Sequence, residues 1–531
     1  MPWTWIKSWS GNSVTLGGRE VGLNLRMRRM LWLVFAAVGI ALLLYTIYIS
    51  DTHRSFGYTI GSFQHSKGET PEQASPSEDG SGRPKFLPWE TTSSFQPVSF
   101  PDIGAVTDDD LCRSFPQQKL AHLVQPVLKF GHGDQPARVE SQLSSVSACL
   151  QDLLIFSDYE ETISGRHVYD VIATTPASYR RDNPDFINYL TLHGLNENGT
   201  ALKPGEPRPE VNGWIIDKYK FLPMIEQAWA LRPNKRWYFF YESDTYVVWD
   251  NVFRLLENLD ADTPMYLGSP SPGRHTDKDE VTFFANGGPG YALSRGAMKK
   301  LLARKVGKDG DYVEAPLSHR WLELLRHECC GDSVLGWALF SAGVAISGLW
   351  PMFSPNAPHN IPFGHRHWCQ PMLTMHKMKP EYMVDFWKWE HVRRNRDTPL
   401  LYRDAWEHEH AEQGLASREI AVDWDNRGWG EYQTAMFKDY NECAKFCVED
   451  TRCLQWLWHL DTCRLAEAAV VGVPRSPEVE GDAPHLPEGQ TWTVEQSRFV
   501  SGWNMERIER FGQENNCEVV EWLRPSTTRM F

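Results

Sequence analysis

The stretch FFYESDTYVVWDN, Phe239 to Asn251, sets Glu242, Ser243 and Asp244 directly behind a run of large apolar residues. RWYFFY, ending at Tyr241, reads as a buried strand, and WDNVFRLLENL beyond it returns to the helical period. Upstream, DKYKFLPMIEQAWAL (Asp217 to Leu231) has apolar residues at helical spacing and ends in the turn RPNK. HVYDVIATT (His167 to Thr175) reads as another buried strand closed by a polar turn. Strand and helix patterns alternate in this way over residues 106–400, which predicts an α/β domain around a largely parallel sheet. Ligands of such sheets sit at the carboxyl ends of strands, and the acidic triplet stands at one. Two carboxylates with one residue between them, at a backbone turn, can face one cavity and offer the hard oxygens that divalent cations prefer. The competing reading of the triplet is a solvated turn that caps the next helix, with Asp250 in the same role.

Downstream, FFANGGPGYALSRGAMKKLL (Phe283 to Leu302) carries Gly287, Gly288 and Gly290, where backbone bends sharply or approaches a ligand closely before a helix begins. Asp332 in CCGDSVLG precedes an apolar helix and suits an N-cap as well as a catalytic base. His376 stands in LTMHKM; a lone histidine is more often structural than a ligand, and His365, His367, His408 and His410 are read as solvated or structural. Thr174 and Thr175, followed by Arg180 and Arg181, close the early strand, and Lys218 and Lys220 lie ahead of the acidic one. Basic residues at such places are usually surface, and no glycine-rich phosphate loop accompanies them.

With 531 residues, 41% of them hydrophobic, the chain can bury a large core and more than one folded unit. A net charge of -14, and no Lys/Arg cluster after residue 50, argue against nucleic acid as a partner. The run LWLVFAAVGIALLLYTIYIS (Leu31 to Ser50) has no charge and is long enough to cross a hydrocarbon core of about 30 Å as a helix. It is longer than the apolar part of a signal peptide and is not closed by a small-residue cleavage site. Lys7, Arg19, Arg26, Arg28 and Arg29 precede it against Glu20 alone, so residues 1–30 are expected in the cytosol and everything after residue 50 in the lumen, a single-pass type II arrangement. Residues 51–105, rich in Ser, Gly, Pro and Glu, read as a flexible stem. All ten cysteines, from Cys112 to Cys517, then lie in an oxidising compartment and are expected to pair, with connectivity left open by spacing alone. Asn198, in NGT within a turn-rich segment, is a candidate N-glycosylation acceptor. Residues 401–422 read as a linker, and residues 423–531 as a Cys- and Trp-rich module whose Cys443, Cys447, Cys453 and Cys463 favour disulfides over a zinc site.

Taken in order, YESDTYVVWDNVFRLLENLDADTPMYLGSP, NGGPGYALSRGAMKKL, CCGDSVLGWALFSAG and LTMHKM resemble the core-1 β1,3-galactosyltransferase and fringe group of glycosyltransferase family 31, over about residues 167–378. The resemblance implies a GT-A type nucleotide-sugar-binding sandwich, Rossmann-like, in a type II protein of the Golgi or endoplasmic reticulum membrane. It implies Mn²⁺-dependent, inverting transfer of a hexose, galactose in β1,3 linkage, from UDP-galactose or a related UDP-sugar to a glycoprotein glycan such as O-linked GalNAc. Asp244 matches a metal ligand of the family, and Glu242, where the family usually has Asp, is placed to contact metal, ribose or ordered water. His376 matches the family's histidine ligand. Asp332 matches its base, with Gly331 where a second acid is common. Thr174, Thr175, Arg180, Arg181, Lys218, Lys220 and Ser243 correspond to nucleotide-sugar contacts, and Gly287 and Gly288 to the loop facing donor and acceptor. The alternatives are a fringe-like N-acetylglucosaminyltransferase, or a lumenal glycan-binding protein without catalysis, which the altered triplet motivates. CAKFC, CLQW, LDTCRL and SGWNMERIERF resemble the PAN/apple domains of some fungal members of this family; a disulfide-stapled extension packed on the catalytic domain is the other reading. The oligomeric state stays open.

Overall fold

A computed structural model describes residues 93–95 and 108–523, apart from 203–212, 393–397, 413, 415–418, 428–429, 480–485 and 487–488, and three strands between residues 6 and 22. The chain divides into two units, Met1–Pro76 and Ser77–Phe531. In the first, Ile6–Ser10 (β1), Ser13–Leu16 (β2) and Arg19–Gly22 (β3) form an antiparallel sheet in chain order. The apolar run 31–50, and the stem 51–105 apart from residues 93–95, lie outside the described residues. Among the described residues no helix is long and apolar enough to cross a membrane.

The second unit is built on a mixed sheet. Its strands are Val124–Lys129 (β4), Leu154–Ser157 (β5), Glu161–Ile163 (β6), Arg166–Asp170 (β7), Trp237–Glu242 (β8), then, after the two-residue Tyr246–Val247 (β9), Tyr266–Gly268 (β10). A hairpin of Pro270–His275 (β11) and Val281–Ala285 (β12) follows, then Tyr291–Ser294 (β13) and Ile346–Gly348 (β14). The order across the sheet is β14-β10-β13-β8-β4-β5-β7-β6. The centre is parallel, with β4 between β8 and β5, and β7 beyond; β13 and β6 run antiparallel to their neighbours. Alternate residues of β8 feed two cores, Trp237, Phe239 and Tyr241 on one face and Tyr238 and Phe240 on the other. The helix Trp249–Glu257 packs on the first face, and the helices Phe221–Leu231 and Gly331–Ser341 on the second. Burial on both sides explains why β8 reads as an unbroken apolar run up to Glu242.

Two sequence boundaries move. The strand expected over His167–Thr175 stops at Asp170, because the Asp170 carboxylate accepts the Ile172 and Ala173 N–H groups at 2.9 and 3.1 Å and turns Ile172–Thr174 into a 3₁₀ helix. The stretch 401–422 holds the helix Tyr402–Glu412, with Tyr402, Ala405 and Trp406 buried in the core of the α/β part; the charged EHEH run had masked that apolar face.

A second small sheet places Phe353–Ser354 (β15), Thr374–Met375 (β16) and β9 side by side. Beyond residue 419, a five-stranded sheet carries the helix Tyr440–Glu449 on it, with disulfides Cys443–Cys463 and Cys447–Cys453. Trp456 and Trp458 are each 4% exposed, so both are core residues. This sheet shares a continuous apolar core with the α/β part through Trp368, Trp424, Trp503, Ile508 and Phe511, and Cys369–Cys517 ties the two covalently.

Candidate active site

Two adjacent parallel strands deliver opposite charges to one edge. The β4–β8 register pairs Lys129 with Glu242, so the last residues of both strands lie side by side, and Lys129 Nζ stands 3.0 Å from Glu242 Oε1. The same ammonium donates to both Asp217 oxygens at 2.8 and 2.6 Å. Lys220, fully buried, donates to the Phe130 carbonyl at 3.1 Å and pairs with Asp158 at 3.2 Å and with Asp217 at 3.6 Å. Asp158, Lys220, Asp217, Lys129 and Glu242 thus alternate in sign along the sheet's carboxyl edge. Burial works against the charge of Lys129, but Asp217 and Glu242 outweigh it and hold the ammonium more firmly protonated than a free lysine. Burial likewise raises Asp158 and Asp217, and the lysine beside each more than reverses this, keeping both below the usual carboxylate range.

The metal-ligand candidates converge from distant parts of the chain. Antiparallel pairing of Tyr246 with Met375 and of Val247 with Thr374, extended by the Met378 N–H donating to the Asp244 carbonyl at 3.0 Å, carries His376 to the acidic turn. His376 Nε2 lies 3.4 Å from Asp244 Oδ1, and ligand atoms of Glu242, Asp244 and His376 all fall within 4.8 Å of one another. A Cβ on Gly288 would stand 2.1 Å from the His376 ring, so only glycine leaves the imidazole its place. Although burial raises Asp244, the hydrogen bond and charge of His376, with Arg138 Nη1 at 3.8 Å, hold its carboxyl below the ordinary value. Two carboxylates and an imidazole form a donor set that suits Mn²⁺ or a similar divalent ion. Ser243 donates to Asp134, which also pairs with Arg138 at 3.2 Å, so the middle residue of the triplet fixes the loop before the helix Pro136–Ser144.

Asp332 stands at the start of the helix Gly331–Ser341, but its carboxylate reaches across to the glycine loop: Oδ2 accepts the Gly287 N–H at 2.8 Å, and Oδ1 accepts the Ser333 N–H at 2.8 Å. Burial pushes its carboxyl up to about 6, the nearby Glu242 charge adding to the rise while the two N–H donors restrain it.

These residues line one cavity of about 410 Å³, with Glu242, Ser243, Asp244, Gly287, Gly288, Lys218, Lys220 and Asp332 on its wall. Lys129, Asp134, Arg138, Trp214, Asp217, Phe221 and the Cys329–Cys330 disulfide also line it, and none of these was singled out from the sequence as a site residue. Lys129 carried only a partial signal: LVQPVLK ends in a charge as WYFFYE does, but Gln125 and Pro126 interrupt its apolar run. Thr174, Thr175, Arg180 and Arg181 stand apart from the cavity: Arg180 is spent on the carbonyls of Ile172 and Ala173 at 3.2 and 2.9 Å, and Thr174 Oγ1 on that of Val171 at 3.0 Å. Asn198 is exposed in a tight turn.

No curated protein matches the chain. Residues 220–320, which contain the acidic triplet and the glycine loop, match the model of the Fringe-like family, and that match supports a glycosyltransferase of the family 31 type.

Proposed function

We propose that this protein is an inverting glycosyltransferase that moves a hexose, galactose in β1,3 linkage, from a UDP-sugar to a glycoprotein glycan such as O-linked GalNAc. The observation that carries this reading is the cluster of Glu242, Asp244 and His376, two of whose members, Glu242 and Asp244, share one cavity with Asp332 at the sheet's carboxyl edge. Glu242, Asp244 and His376 would hold Mn²⁺, which, when bound, offsets charge on the departing diphosphate. Lys129 and Lys220 are locked in ion pairs, which keep Asp158 and Asp217 ionised and hold Glu242 in place. The acceptor hydroxyl gives its proton to Asp332 as its oxygen bonds to the anomeric carbon from the face opposite the nucleotide. The bond from that carbon to the diphosphate oxygen breaks, and its electron pair leaves with UDP.

A lumenal site for this chemistry, reached by a type II signal anchor in the Golgi or endoplasmic reticulum, is supported by the pairing of all ten cysteines in five disulfides. The exposed turn at Asn198 is compatible with its glycosylation there. In the C-terminal sheet, the helix and its paired disulfides are in keeping with a PAN/apple-like module, and the shared apolar core favours a packed extension over a tethered one.

Calorimetric titration of UDP with and without Mn²⁺, on wild type and Asp244→Ala, tests the site. Binding that needs the metal and is lost in the variant is expected. UDP binding indifferent to both metal and substitution would overturn the assignment. A panel of UDP-sugars then separates transfer of galactose from transfer of N-acetylglucosamine.

A further inference from the structure

Beside Asp332 the cavity wall is partly sulfur. Cys329 and Cys330, neighbours in the chain and bonded to each other, both line the cavity, and Asp332 follows after one glycine. A disulfide between neighbours ties no distant elements together, so it supplies little of the stabilisation that comes from closing a long loop. Its access also differs from that of the other four bonds. Among the described residues, which include all ten cysteines, Cys329 is the one cysteine that is exposed; Cys112 and Cys369 are half-buried and the rest of the other pairs buried. Exchange with an outside thiol needs a sulfur that the thiol can reach.

The pair is held from both sides. Glu328 forms an ion pair with Arg274, and its carbonyl accepts the Lys218 ammonium at 3.1 Å. Gly331 is wedged in place, since a Cβ there would lie 2.4 Å from the Lys218 carbonyl oxygen and 2.4 Å from the Phe221 ring. The two cysteines are all that stands between these anchors. Closed, their bond fixes the backbone that enters the helix Gly331–Ser341 and so the direction from which Asp332 reaches the Gly287 N–H. Opened, the two sulfurs must part from bonding distance to non-bonded contact. With both neighbours anchored in a packed wall, that movement goes into the cavity or into the backbone leading to Asp332.

We infer that Cys329–Cys330 is a thiol–disulfide exchange site that regulates the cavity by setting the working position of Asp332. Its ligand class is a low-molecular-weight thiol. The thiolate of one such molecule bonds to Cys329 Sγ; the bond between the two cysteines breaks, and its electron pair leaves with Cys330 Sγ, which takes up a proton. A second thiolate bonds to the sulfur of the first molecule, Cys329 Sγ leaves with the electron pair and is protonated, and the two outside thiols depart as their own disulfide. The cysteines are thereby reduced by two electrons, and the outside thiols are oxidised by the same two. The pair acts through Asp332 and is a positioning element. The inference rests on the transfer reading above.

The test uses the full chain with Mn²⁺, a UDP-sugar and an acceptor glycoside, over a series of ratios of reduced to oxidised glutathione, with alkylation and peptide mass mapping at each ratio. Cys329 and Cys330 are expected to be labelled before any other cysteine. In step with that labelling kcat should fall about 10–100-fold, the scale of a small misplacement of a catalytic group, while UDP affinity by titration stays within about twofold. Oxidised glutathione should restore the rate. The double variant Cys329→Ser, Cys330→Ser is expected to show the low rate at every ratio, with UDP affinity kept. Labelling of another cysteine first, or of none, overturns the exchange site. Labelling of the pair with kcat unchanged, or a double variant that still responds to glutathione, overturns the regulation and leaves the transferase reading intact. No turnover of any UDP-sugar by the fully oxidised wild type would instead overturn the transferase reading, and this regulation with it.

Discussion

As the proposed base, Asp332 has to be ionised to accept a proton, in a place where burial opposes ionisation. With its carboxyl pushed up to about 6, it is mostly charged at neutral pH and remains close enough to the working pH to serve as a base. The rate at saturating substrate is therefore expected to fall as pH drops through about 6, roughly tenfold per unit below it, as the neutral carboxyl accumulates. Asp332→Asn should lose on the order of 10²–10⁴ in kcat and with it the acid limb, while UDP titration stays unchanged; a variant that keeps the limb would exclude Asp332 as the base. The stability sign runs the other way. A carboxyl whose folded value lies above that of the unfolded chain stabilises the fold at low pH, and loses that contribution as pH rises through about 6. At this scale the sequence was informative where chemistry is unusual in its context. Two acids behind an apolar run, and an acid before an apolar helix, could be seen without coordinates. Trp214 and Cys329–Cys330 could not, because an aromatic residue or a cysteine pair reads the same whether it faces core, solvent or a cavity.

His376 lies 132 residues after Asp244 and reaches it only through a ladder of two residue pairs, β9 with β16. Nothing in LTMHKM announces that pairing; only the family resemblance pointed to it. The glycine loop closes the same corner from a third element, since Thr245 Oγ1 donates to the Gly288 carbonyl at 2.6 Å and the imidazole occupies the space a Cβ would take. Gly288→Ala should displace the ring and weaken Mn²⁺ binding about 10–100-fold, the range typical of disturbed metal surroundings, with the melting temperature little changed. Electron paramagnetic resonance titration of Mn²⁺ reads this without turnover, and unaltered affinity would remove His376 from the ligand set. Within the parallel centre of the sheet β8 was legible because a strand buried on both faces is apolar nearly throughout. β4 was overlooked because its proline and terminal lysine break the apolar pattern of VQPVLK, although the lysine is only 4% exposed.

The composition of the chain changes sharply near residue 423, yet the folded core does not. Trp424, Trp503, Ile508 and Phe511 pack into the same cluster as Trp368, Leu401 and Trp406, so a boundary drawn from cysteine and tryptophan content crosses continuous packing. Sequence cannot reveal such continuity, since a half-buried surface between modules has the same residue types as a core. Replacing both Cys369 and Cys517 by alanine should lower stability by about 2–5 kcal/mol, the cost of opening so long a loop. Because the core is shared, UDP binding and tryptophan fluorescence should be lost in one denaturant transition; two separate transitions would show that the modules are independent.

The same crosslink has a consequence for how the chain is made. Cys369 is synthesised 148 residues before its partner, so at translation rates of about 5–20 residues per second it waits roughly 7–30 s without that partner. When that interval opens, Glu242, Asp244, the glycine loop and Asp332 have been made, but His376 has not, so the candidate metal corner and the last covalent closure are both still incomplete. An unpaired thiol in that window is a chemical mark of incompleteness, and the mark disappears only when the C-terminal sheet has docked.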